Sequence, residues 1–457
     1  MGTHRVQITM IRPEILLENI LASLQRDIAP ELHSAKAKAA AASMARALAR
    51  MSLYVSSGEG RQLDSPEGWF ATDPALRQFH SNPVLPPQTR NSATLAEPCH
   101  REWLTLAKLE DAMSTLLETD EPAQNPGTSA PQADTGKKLE AYLQSRFSAP
   151  EARVSDFQEV VGGRSKQTAF FTVSGLAQMS GTLVLRCDLQ VNLSGGKSIA
   201  YEYPLQKILA DHGLRVPRPL LLEIDPRHIG QPFMVVEKLP GAVAGQYFYP
   251  PTSPSLLADY AAELARLHAV PADAFSGLDM DSTPLPRGAL AAEIERLRAT
   301  CSECGTLSLI LETAYAWLLE NLEVAYRDRP CLAHRDALFH NVLAEGERVC
   351  ALLDWELARI SCAAEDLGYI RSTVPLAMPW DTFMAHYEKA AGRVMDQRQV
   401  DYFAILSVAR NCSMASNVRR LVAQRETRDI ELTSVTLHDL YRMQYQLGEH
   451  LDRAMGR

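Results

Sequence analysis

The chain has 457 residues, of which 46% are hydrophobic and 22% are charged, and its formal net charge is −9. This length exceeds that of one compact core, so we expect about three folding units. The acidic balance argues against a nucleic-acid-binding surface. No apolar run is long enough to span a membrane, and the first residues lack the apolar core of a signal peptide. We therefore expect a cytoplasmic protein with neither a nucleic acid nor a membrane as its partner.

The cysteines do not indicate a disulfide framework. Eight of them are spread over the whole chain. Cys301 and Cys304 have the spacing of a redox or zinc motif, but no second pair accompanies them. We expect all eight to be reduced thiols, as is usual in a cytosolic protein.

Residues 1–120 are predicted to form an all-α N-terminal domain. Apolar side chains recur at helical spacing after Pro13, again in the alanine-rich residues 32–53, and again in residues 101–117. Because this part carries no constellation of catalytic residues, we expect it to serve as a contact for the rest of the chain, for a protein partner, or for a homo-oligomer. Residues 121–137 are rich in Pro, Ala, Gly and Asp, which predicts a flexible linker.

Residues 138–240 are predicted to form a small lobe built mainly from strands. Residues 157–161 and 169–173 have the pattern of two strands joined by a loop that contains two glycines. Such a loop can lie over phosphates, because glycine lets the backbone N–H groups come close to a ligand. The loop residues expected at a phosphate are Gly162, Gly163, Arg164 and Ser165.

A short β-hairpin is predicted within residues 331–366. Two apolar runs, residues 342–344 and 349–353, flank the turn sequence Glu-Gly-Glu. A hairpin brings its two ends together, so the polar residues on either side of it should converge.

Three of those polar residues form a predicted metal site. Asp336 and Asn341 precede the hairpin, and Asp354 follows it directly. Two carboxylates and an amide oxygen are hard oxygen ligands of the kind that Mg²⁺ prefers, and bound Mg²⁺ often retains a substrate phosphate.

The order of these motifs resembles that of protein kinases. A His-Arg-Asp sequence at residues 334–336 is followed, after a gap of four residues, by Asn341, and Asp354 follows the hairpin. The Trp-Glu after Asp354, where protein kinases have Phe-Gly, is similar to the aminoglycoside phosphotransferase and choline kinase superfamily. This resemblance implies an α+β, two-lobed protein-kinase-like fold behind the all-α N-terminal domain. The small antiparallel-sheet lobe would span residues 138–240 and the larger helical lobe residues 241–457.

The same resemblance implies the chemistry: an enzyme that uses ATP and Mg²⁺ to phosphorylate a hydroxyl of a small molecule. Asp336 is expected to be the base or orienting carboxylate, and Asn341 and Asp354 the Mg²⁺ ligands. Arg186 stands where most kinases have a lysine, and is expected to hold nucleotide phosphates and to pair with Glu202. If Arg186 is not that clamp, Lys166 and Lys197 are the alternatives. The other expected site residues are His334 and Arg335 of the catalytic motif, Glu237, Lys238 and Leu239 of an adenine-binding hinge, and Asp366 as a support of the catalytic loop.

One branch of the superfamily is particularly similar. Val-Leu-Arg at residues 184–186 and Ile-Gly-Gln-Pro-Phe at residues 229–233 look like the phosphotransferase domains associated with acyl-CoA dehydrogenases. This likeness implies a hydroxyacyl-CoA as the acceptor, a coenzyme A thioester whose own phosphates would need cations at the pocket rim. The expected acceptor-side residues are Glu356, Arg410, Asn411, Arg419 and Arg420.

Alternative functions remain open at this point. An aminoglycoside-type antibiotic kinase would use the same catalytic residues with an acidic acceptor pocket, and an amino-alcohol or sugar kinase is also compatible. A protein kinase is disfavoured because residues 354–366 leave no room for a long activation segment. A nucleotide-binding pseudokinase scaffold would lack the base or a metal ligand, and neither is missing. The sequence does not decide between ATP and GTP or fix the oligomeric state.

Overall fold

The structure is a computed structural model. It describes residues 17, 20–21, 24–29, 32, 35–56, 91–116, 133–160, 166–188, 196–278, 287–424, 426, 432 and 434–456. The chain divides into two compact units. The first comprises Met1–Ala123, Leu297–Ala316 and Asn411–Glu449, and the second comprises Gln124–Arg296, Trp317–Arg410 and His450–Arg457.

The described α-helices are α1 Ala35–Ser56, α2 Ser92–Leu116, α3 Ala133–Phe147, α4 Ile199–Asp211, α5 Pro254–Ala269, α6 Arg287–Glu303, α7 Leu309–Glu320, α8 Ala363–Ile370, α9 Trp380–Ala391, α10 Gln397–Ala423 and α11 Leu440–Ala454. The described strands are β1 Arg153–Val160, β2 Lys166–Ser174, β3 Gly181–Asp188, β4 Pro219–Glu223, β5 Phe233–Glu237, β6 Ala242–Val243, β7 Cys331–Ala333, β8 Val342–Glu345, β9 Arg348–Leu352 and β10 Arg359–Ser361. None of the helices within these ranges is both long enough and apolar enough to cross a bilayer.

The second unit contains a small sheet lobe. Its five strands are in the order β1-β2-β3-β5-β4, and every neighbouring pair is antiparallel. Alternate residues of β2 and β3 face a core, because successive side chains of a strand point to opposite faces. Phe171 and Leu185 lie in this core together with Leu139 of α3 and Ile199 of α4. The sheet thus holds Arg186, near the end of β3, at a fixed position beside α4.

The larger lobe of the same unit is mainly helical. Two small antiparallel sheets position its polar residues: β7 pairs with β10, and β6, β8 and β9 form a three-stranded sheet. The hairpin β8–β9 has Glu345 opposite Arg348 around the turn at Gly346. Gly346 has a φ of 59°, in the left-handed region that glycine adopts without a side-chain clash. The predicted hairpin and the two-lobed α+β kinase-like fold are therefore confirmed.

Several boundaries differ from those predicted. Helix α3 begins at Ala133, so its first residues occupy the end of the predicted linker, 121–137. Strand β2 begins at Lys166, three residues earlier than the predicted strand at 169. This extension occurs because Lys166 and Gln167 continue the antiparallel pairing with β3. The predicted phosphate-loop residues Gly162, Gly163, Arg164 and Ser165 lie outside the described residues, as does most of the predicted helix after Pro13.

The first unit also contains residues that the sequence analysis assigned to the helical lobe, namely 297–316 and 411–449. The contacts inside this unit explain the difference. The buried carboxylate of Glu102 in α2 accepts a hydrogen bond of 2.6 Å from the backbone N–H of Ile310. Trp103 of α2 stacks on Tyr445 of α11, with ring centroids 5.9 Å apart. Such contacts supply apolar and polar partners that a domain limited to residues 1–120 would lack.

Candidate active site

The predicted catalytic loop, residues 334–341, follows β7 and is held by the ring of His334. The Nδ1 atom of His334 accepts a 3.3 Å hydrogen bond from the backbone N–H of Asp336. The other ring nitrogen, Nε2, therefore carries the hydrogen and donates it to the carbonyl of Leu353 at 2.8 Å. The wholly buried ring also lies against Trp355, with centroids 4.4 Å apart. His334 thus connects the catalytic loop to the residue that precedes Asp354.

Asp366 supports the backbone of this loop. Its two carboxylate oxygens accept hydrogen bonds from the backbone N–H groups of His334 (2.8 Å) and Arg335 (2.7 Å). His268 lies 3.0 Å from the same carboxylate, and its other ring nitrogen contacts the hydroxyl of Tyr387 at 2.8 Å. Arg335 needs this support, because its φ of 66° is in the left-handed region that side chains other than glycine rarely adopt.

The side chains of Asp336 and Asn341 are hydrogen-bonded to each other. The amide nitrogen of Asn341 donates to the carbonyl and to Oδ2 of Asp336, both at 2.9 Å. Because both partners are acceptors, this side of the amide must be the nitrogen, and its oxygen remains for another ligand. The hydroxyl of Tyr369 donates to Oδ1 of Asp336 at 2.7 Å. Burial opposes ionisation of Asp336, but His340, 3.7 Å away, and the Tyr369 hydroxyl outweigh it and hold the pKa of Asp336 below its usual range.

Beyond the hairpin, Asp354 faces the sheet lobe. One nitrogen of Arg186 lies 3.2 Å from Oδ1 of Asp354, and another lies 3.1 Å from the buried carboxylate of Glu202. Burial opposes the charge on Arg186, yet Glu202 and Asp354 raise its pKa, so it stays cationic. Asp354 also has a left-handed backbone, with a φ of 64°. Asn341 and Asp354 each offer an oxygen donor of the kind that Mg²⁺ prefers, and Asp354 is paired with a cation that can hold phosphate.

Lys166 lies next to this pair and was named in the sequence analysis only as an alternative clamp. Its side chain is 3% exposed, and its ammonium donates to Glu356 at 2.8 Å and to the carbonyl of Lys197 at 2.9 Å. Asp188 and Glu202 lie 3.4 and 3.6 Å from the same nitrogen. Glu356, expected on the acceptor side, is thus paired with a lysine instead. The side chain of Lys197 points elsewhere, over the ring of Tyr201 at 4.3 Å.

A buried ion network holds two further predicted residues. The guanidinium of Arg335 contacts Glu365 at 2.7 Å and Glu293 at 3.1 Å. Arg359 contacts the same two carboxylates at 3.1 and 2.8 Å. Arg410 donates to the carbonyl of Arg335 at 2.6 Å, and its guanidinium lies 5.2 Å from the ring centroid of Tyr369. The side chains of Arg335 and Arg410 therefore position the catalytic loop. The predicted active role of Arg335 does not fit these contacts, nor does the predicted position of Arg410 at the rim of the acceptor pocket.

The remaining predicted residues fall in three places. Glu237 ends β5, and its backbone N–H donates to the carbonyl of Arg218 at 3.0 Å. Lys238 follows, with its ammonium 4.7 Å from the ring centroid of Phe170, and Leu239 comes next in the chain. Asn411, Arg419 and Arg420 belong to the first unit, where Arg420 donates to Gln424 at 2.7 Å. The candidate active site lies in the second unit, so its geometry gives no support to the predicted role of these three residues in binding the acceptor.

Sequence reasoning missed Tyr369 and the pairing of Lys166 with Glu356. No local pattern marks either one, because Tyr369 reaches Asp336 across 33 positions and Lys166 reaches Glu356 across 190. The sequence feature that could have marked Lys166 is its position at the start of a strand whose alternate residues are apolar.

The sheet lobe, the helical lobe and the linked Asp336–Asn341 and Arg186–Asp354 pairs together define a protein-kinase-like phosphotransferase domain. The model of the phosphotransferase enzyme family matches residues 156–403, which is more than half of the chain. The chain belongs to this phosphotransferase enzyme family.

The chain is also similar to individual known proteins. The rat protein acyl-CoA dehydrogenase family member 11 is 25% identical over 343 residues, which are 68% of this chain and 43% of the rat protein. The mouse protein acyl-CoA dehydrogenase family member 10 is 27% identical over 50% of this chain and 21% of its own length. The chain thus spans less than half the length of these curated relatives. A solved structure of a provisionally assigned aminoglycoside phosphotransferase from Ralstonia eutropha has a TM-score of 0.56 at 19% identity, covering 69% of this chain and 98% of that one, and supports the fold.

Proposed function

We propose that the chain is an ATP-dependent kinase that transfers the γ-phosphate to a hydroxyl of a small molecule. The observation that carries this proposal is the hydrogen-bonded pair of Asp336 and Asn341. One member of the pair is an ionised carboxylate suited to a hydroxyl, and the other presents an amide oxygen suited to a metal ion. Phosphoryl transfer depends mostly on positioning and on neutralising charge, so this small set of groups is sufficient.

Asp336 would orient the acceptor hydroxyl. Its pKa is lowered, which makes it a weak base at neutral pH. It is therefore suited to accept a hydrogen bond from the acceptor hydroxyl at the start of the reaction. It would accept the proton only late, when the hydroxyl oxygen has become acidic by bonding to phosphorus. Tyr369 and Asn341 hold the two oxygens of Asp336 in place for this task.

Asn341 and Asp354 would hold Mg²⁺, and Arg186 would bind the nucleotide phosphates. Bound Mg²⁺ supplies charge neutralisation on the phosphate oxygens. Arg186 has a fork of donors and is kept charged by Glu202 and Asp354. The backbone of Glu237–Leu239 would contact adenine, and the loop with Gly162, Gly163, Arg164 and Ser165 would cover the phosphates.

The favoured acceptor is a hydroxyacyl-CoA. Two observations support this choice: the names of the relatives, which are acyl-CoA dehydrogenase family members, and the motifs at residues 184–186 and 229–233. The chemistry is coherent, because a hydroxyl is a poor leaving group and its phosphate ester is a good one, which prepares an acyl chain for elimination. An aminoglycoside, amino-alcohol or sugar acceptor is the second candidate, since the solved neighbour is assigned to the aminoglycoside phosphotransferases.

A transfer assay with radiolabelled ATP tests the function and the acceptor together. The acceptors are a hydroxyacyl-CoA, the matching free hydroxy acid, kanamycin and choline, each incubated with the wild-type chain and with Asp354→Ala. We expect label on the hydroxyacyl-CoA, much less on the free acid, and none with Asp354→Ala. Label on kanamycin alone would refute the coenzyme A acceptor and leave the kinase intact. Nucleotide binding without transfer to any hydroxyl compound would favour a pseudokinase scaffold.

A further inference from the structure

The segment that follows β6 is held against the predicted catalytic loop by its backbone. The N–H of Ala244 donates to the carbonyl of Val342 at 2.8 Å, and the N–H of Gly245 donates to the carbonyl of Phe339 at 3.2 Å. A Cβ at Gly245 would lie 2.5 Å from the carbonyl oxygen of Tyr249 and 2.9 Å from Cβ of Phe339, so this close approach requires glycine. The segment therefore has a fixed position beside the end of the loop.

A tight turn in this segment presents two aromatic side chains. Gln246 and Tyr249 are joined by backbone hydrogen bonds in both directions, of 2.8 and 3.4 Å, so Tyr247 and Phe248 lie at the tip of the turn. Phe248 is buried, whereas Tyr247 is half-buried. The ring centroid of Tyr247 lies 4.7 Å from that of Phe248 and 5.8 Å from that of His340. The Tyr247 ring is thus packed against a residue of the predicted catalytic loop.

Aromatic rings also border the carboxylate of Asp336. Its side chain is 20% exposed, so an acceptor can reach it. Besides Asn341, which is assigned to the metal ion, the described side chains at this carboxylate are His340, 3.7 Å away, and the hydroxyl of Tyr369 at 2.7 Å. Tyr247 is close to both: its ring contacts His340, and after burial and Asp336 it is the next group that raises the pKa of Tyr369. These three rings therefore border the space in which an acceptor hydroxyl would meet Asp336.

The charges near these rings disfavour a cationic acceptor. Tyr369 already has a cation at its ring, the guanidinium of Arg410, 5.2 Å from the ring centroid. Arg410 also lies 3.8 Å from Glu365, a carboxylate that Arg335 and Arg359 already bind. Aromatic rings favour contact with carbon atoms, because the burial of apolar surface is favourable. The surroundings of Asp336 thus suit an acceptor whose hydroxyl stands on an apolar chain.

We propose that Tyr247 and His340 form an aromatic wall that selects acceptors with apolar carbon atoms next to the hydroxyl. The hydroxyl would meet Asp336 while the carbon chain packs on the two rings. A hydroxyacyl chain has this chemistry, and a polycationic aminosugar does not. This inference rests on the proposed kinase function and specifies which part of the acceptor the chain recognises.

Isothermal titration measures this recognition separately from phosphate transfer. Hydroxyacyl-CoAs with the hydroxyl on carbon 3, and a second set with it on carbon 4, are titrated into the wild-type chain in the presence of Mg²⁺ and the non-hydrolysable nucleotide AMP-PNP. The carbon chain beyond the hydroxyl is lengthened by one methylene at a time. We expect the dissociation constant to fall by about two- to fourfold for each of the first few methylenes, as their surface is removed from water. Tyr247→Ala should lose most of this dependence on chain length, and Tyr247→Phe should retain it because the ring is kept.

A second variant keeps the test decisive if Tyr247→Ala does not fold. His340→Ala removes the other ring of the aromatic wall, from a side chain that is 34% exposed, and should also weaken the dependence on chain length. Val394→Ala is the control, because this 82% exposed residue of the second unit removes apolar surface without touching the wall. It should keep the wild-type dependence.

Three results would overturn the proposal: no measurable binding of any hydroxyacyl-CoA or no dependence on chain length, an unchanged dependence in both Tyr247→Ala and His340→Ala, or tighter binding of kanamycin or choline than of the hydroxyacyl-CoAs. The transfer assay with radiolabelled ATP separates the aromatic wall from the kinase function. Binding that depends on chain length without transfer to any acceptor would support the wall and contradict the kinase function. Transfer to a hydroxyacyl-CoA without that dependence would do the reverse.

Discussion

At the scale of single residues, Asp336 has the most specific surroundings. Its two side-chain oxygens are bound separately, one by Tyr369 and one by Asn341. Asparagine at this position has nearly the same shape but lacks the negative charge that orients a hydroxyl.

We expect Asp336→Asn to bind ATP nearly as well as the wild type and to lower turnover by about a hundredfold or more, as when a positioned acid or base is lost. Isothermal titration with ATP and a steady-state transfer assay measure the two effects separately. Turnover near the wild-type rate would remove Asp336 from the mechanism.

Arg186 gives a second residue-scale prediction. Arg186→Lys keeps the charge but cannot reach Glu202 and Asp354 with a fork, so we expect weaker nucleotide binding with measurable turnover. Arg186→Met should weaken both strongly. Because it also leaves the buried Glu202 without this partner, melting temperatures must be recorded for each variant.

The double variant Arg186→Met, Glu202→Gln serves as the control for folding, since it removes the carboxylate together with its cation. A fully active Arg186→Met would show that the phosphate clamp lies elsewhere, with Lys166 and Lys197 as the next candidates.

At the scale of secondary-structure elements, the short helix α8 organises the catalytic loop. All eight of its residues are buried. Glu365 forms ion pairs with Arg335 and Arg359. Asp366 accepts hydrogen bonds from the backbone N–H groups of the loop, and Tyr369 donates a hydrogen bond to Asp336. Sequence analysis assigned a supporting role to Asp366 alone, because the resemblance to the superfamily marks that residue, whereas no match was available for the other two.

Gly368 makes this helix sensitive to substitution. A Cβ at Gly368 would lie 2.5 Å from the backbone nitrogen of Ala404 and 2.6 Å from the carbonyl carbon of Phe403, both in α10. Backbone atoms cannot move aside as a side chain can, so we expect Gly368→Ala to lower the free energy of unfolding by about 1–3 kcal/mol or more. Chemical denaturation measures it.

Gly288→Ala in α6 is the matched control for this prediction. Apart from the adjoining backbone, no atom of the described residues lies within 4 Å of the point that a Cβ at Gly288 would occupy. The stability of this variant should therefore be unchanged or higher by up to about 1 kcal/mol. Equal stability of the two variants would contradict the close approach of α8 and α10.

At the scale of the whole molecule, the sequence predicted features that depend on local patterns, but it did not predict which distant residues would pair. The Glu-Gly-Glu turn between apolar runs predicted the β8–β9 hairpin, and helical spacing in residues 32–53 and 101–117 predicted helices that overlap α1 and α2, because each signal lies within one element. Asp336 and Asn341 were predicted to lie close together on the same basis. The partners of Glu356 and Arg410 were not predictable from the sequence. A charged residue near a motif can face solvent or a buried partner, and only the packing of distant segments decides between the two.

The thiols provide a test that samples the whole chain. Six cysteines are buried, and Cys304 and Cys350 are half-buried; all eight are free. We expect an aromatic disulfide reagent to label at most Cys304 and Cys350 in the native protein and all eight after denaturation, because buried thiols cannot form the reactive thiolate. Mass spectrometry locates the labels. Fewer than eight labels after denaturation without a reductant would indicate a disulfide and contradict the reduced state.

The ion pair of Lys166 and Glu356 also limits how this sequence can change by mutation, because Gly196 packs against Glu356. Apart from a stop codon, every single-base change of a glycine codon that alters the residue introduces a side chain with a Cβ. At position 196 that atom would lie 2.2 Å from Cδ of Glu356, so the Glu356 side chain, whose carboxylate contacts Lys166, would have to shift. Each one-step coding neighbour of Gly196 is therefore expected to displace the Glu356 carboxylate from its present position. Any lineage that loses this glycine should first shorten the side chain at position 356, and a saturation library at position 196 should recover substitutions mainly in a background that already carries Glu356→Ala.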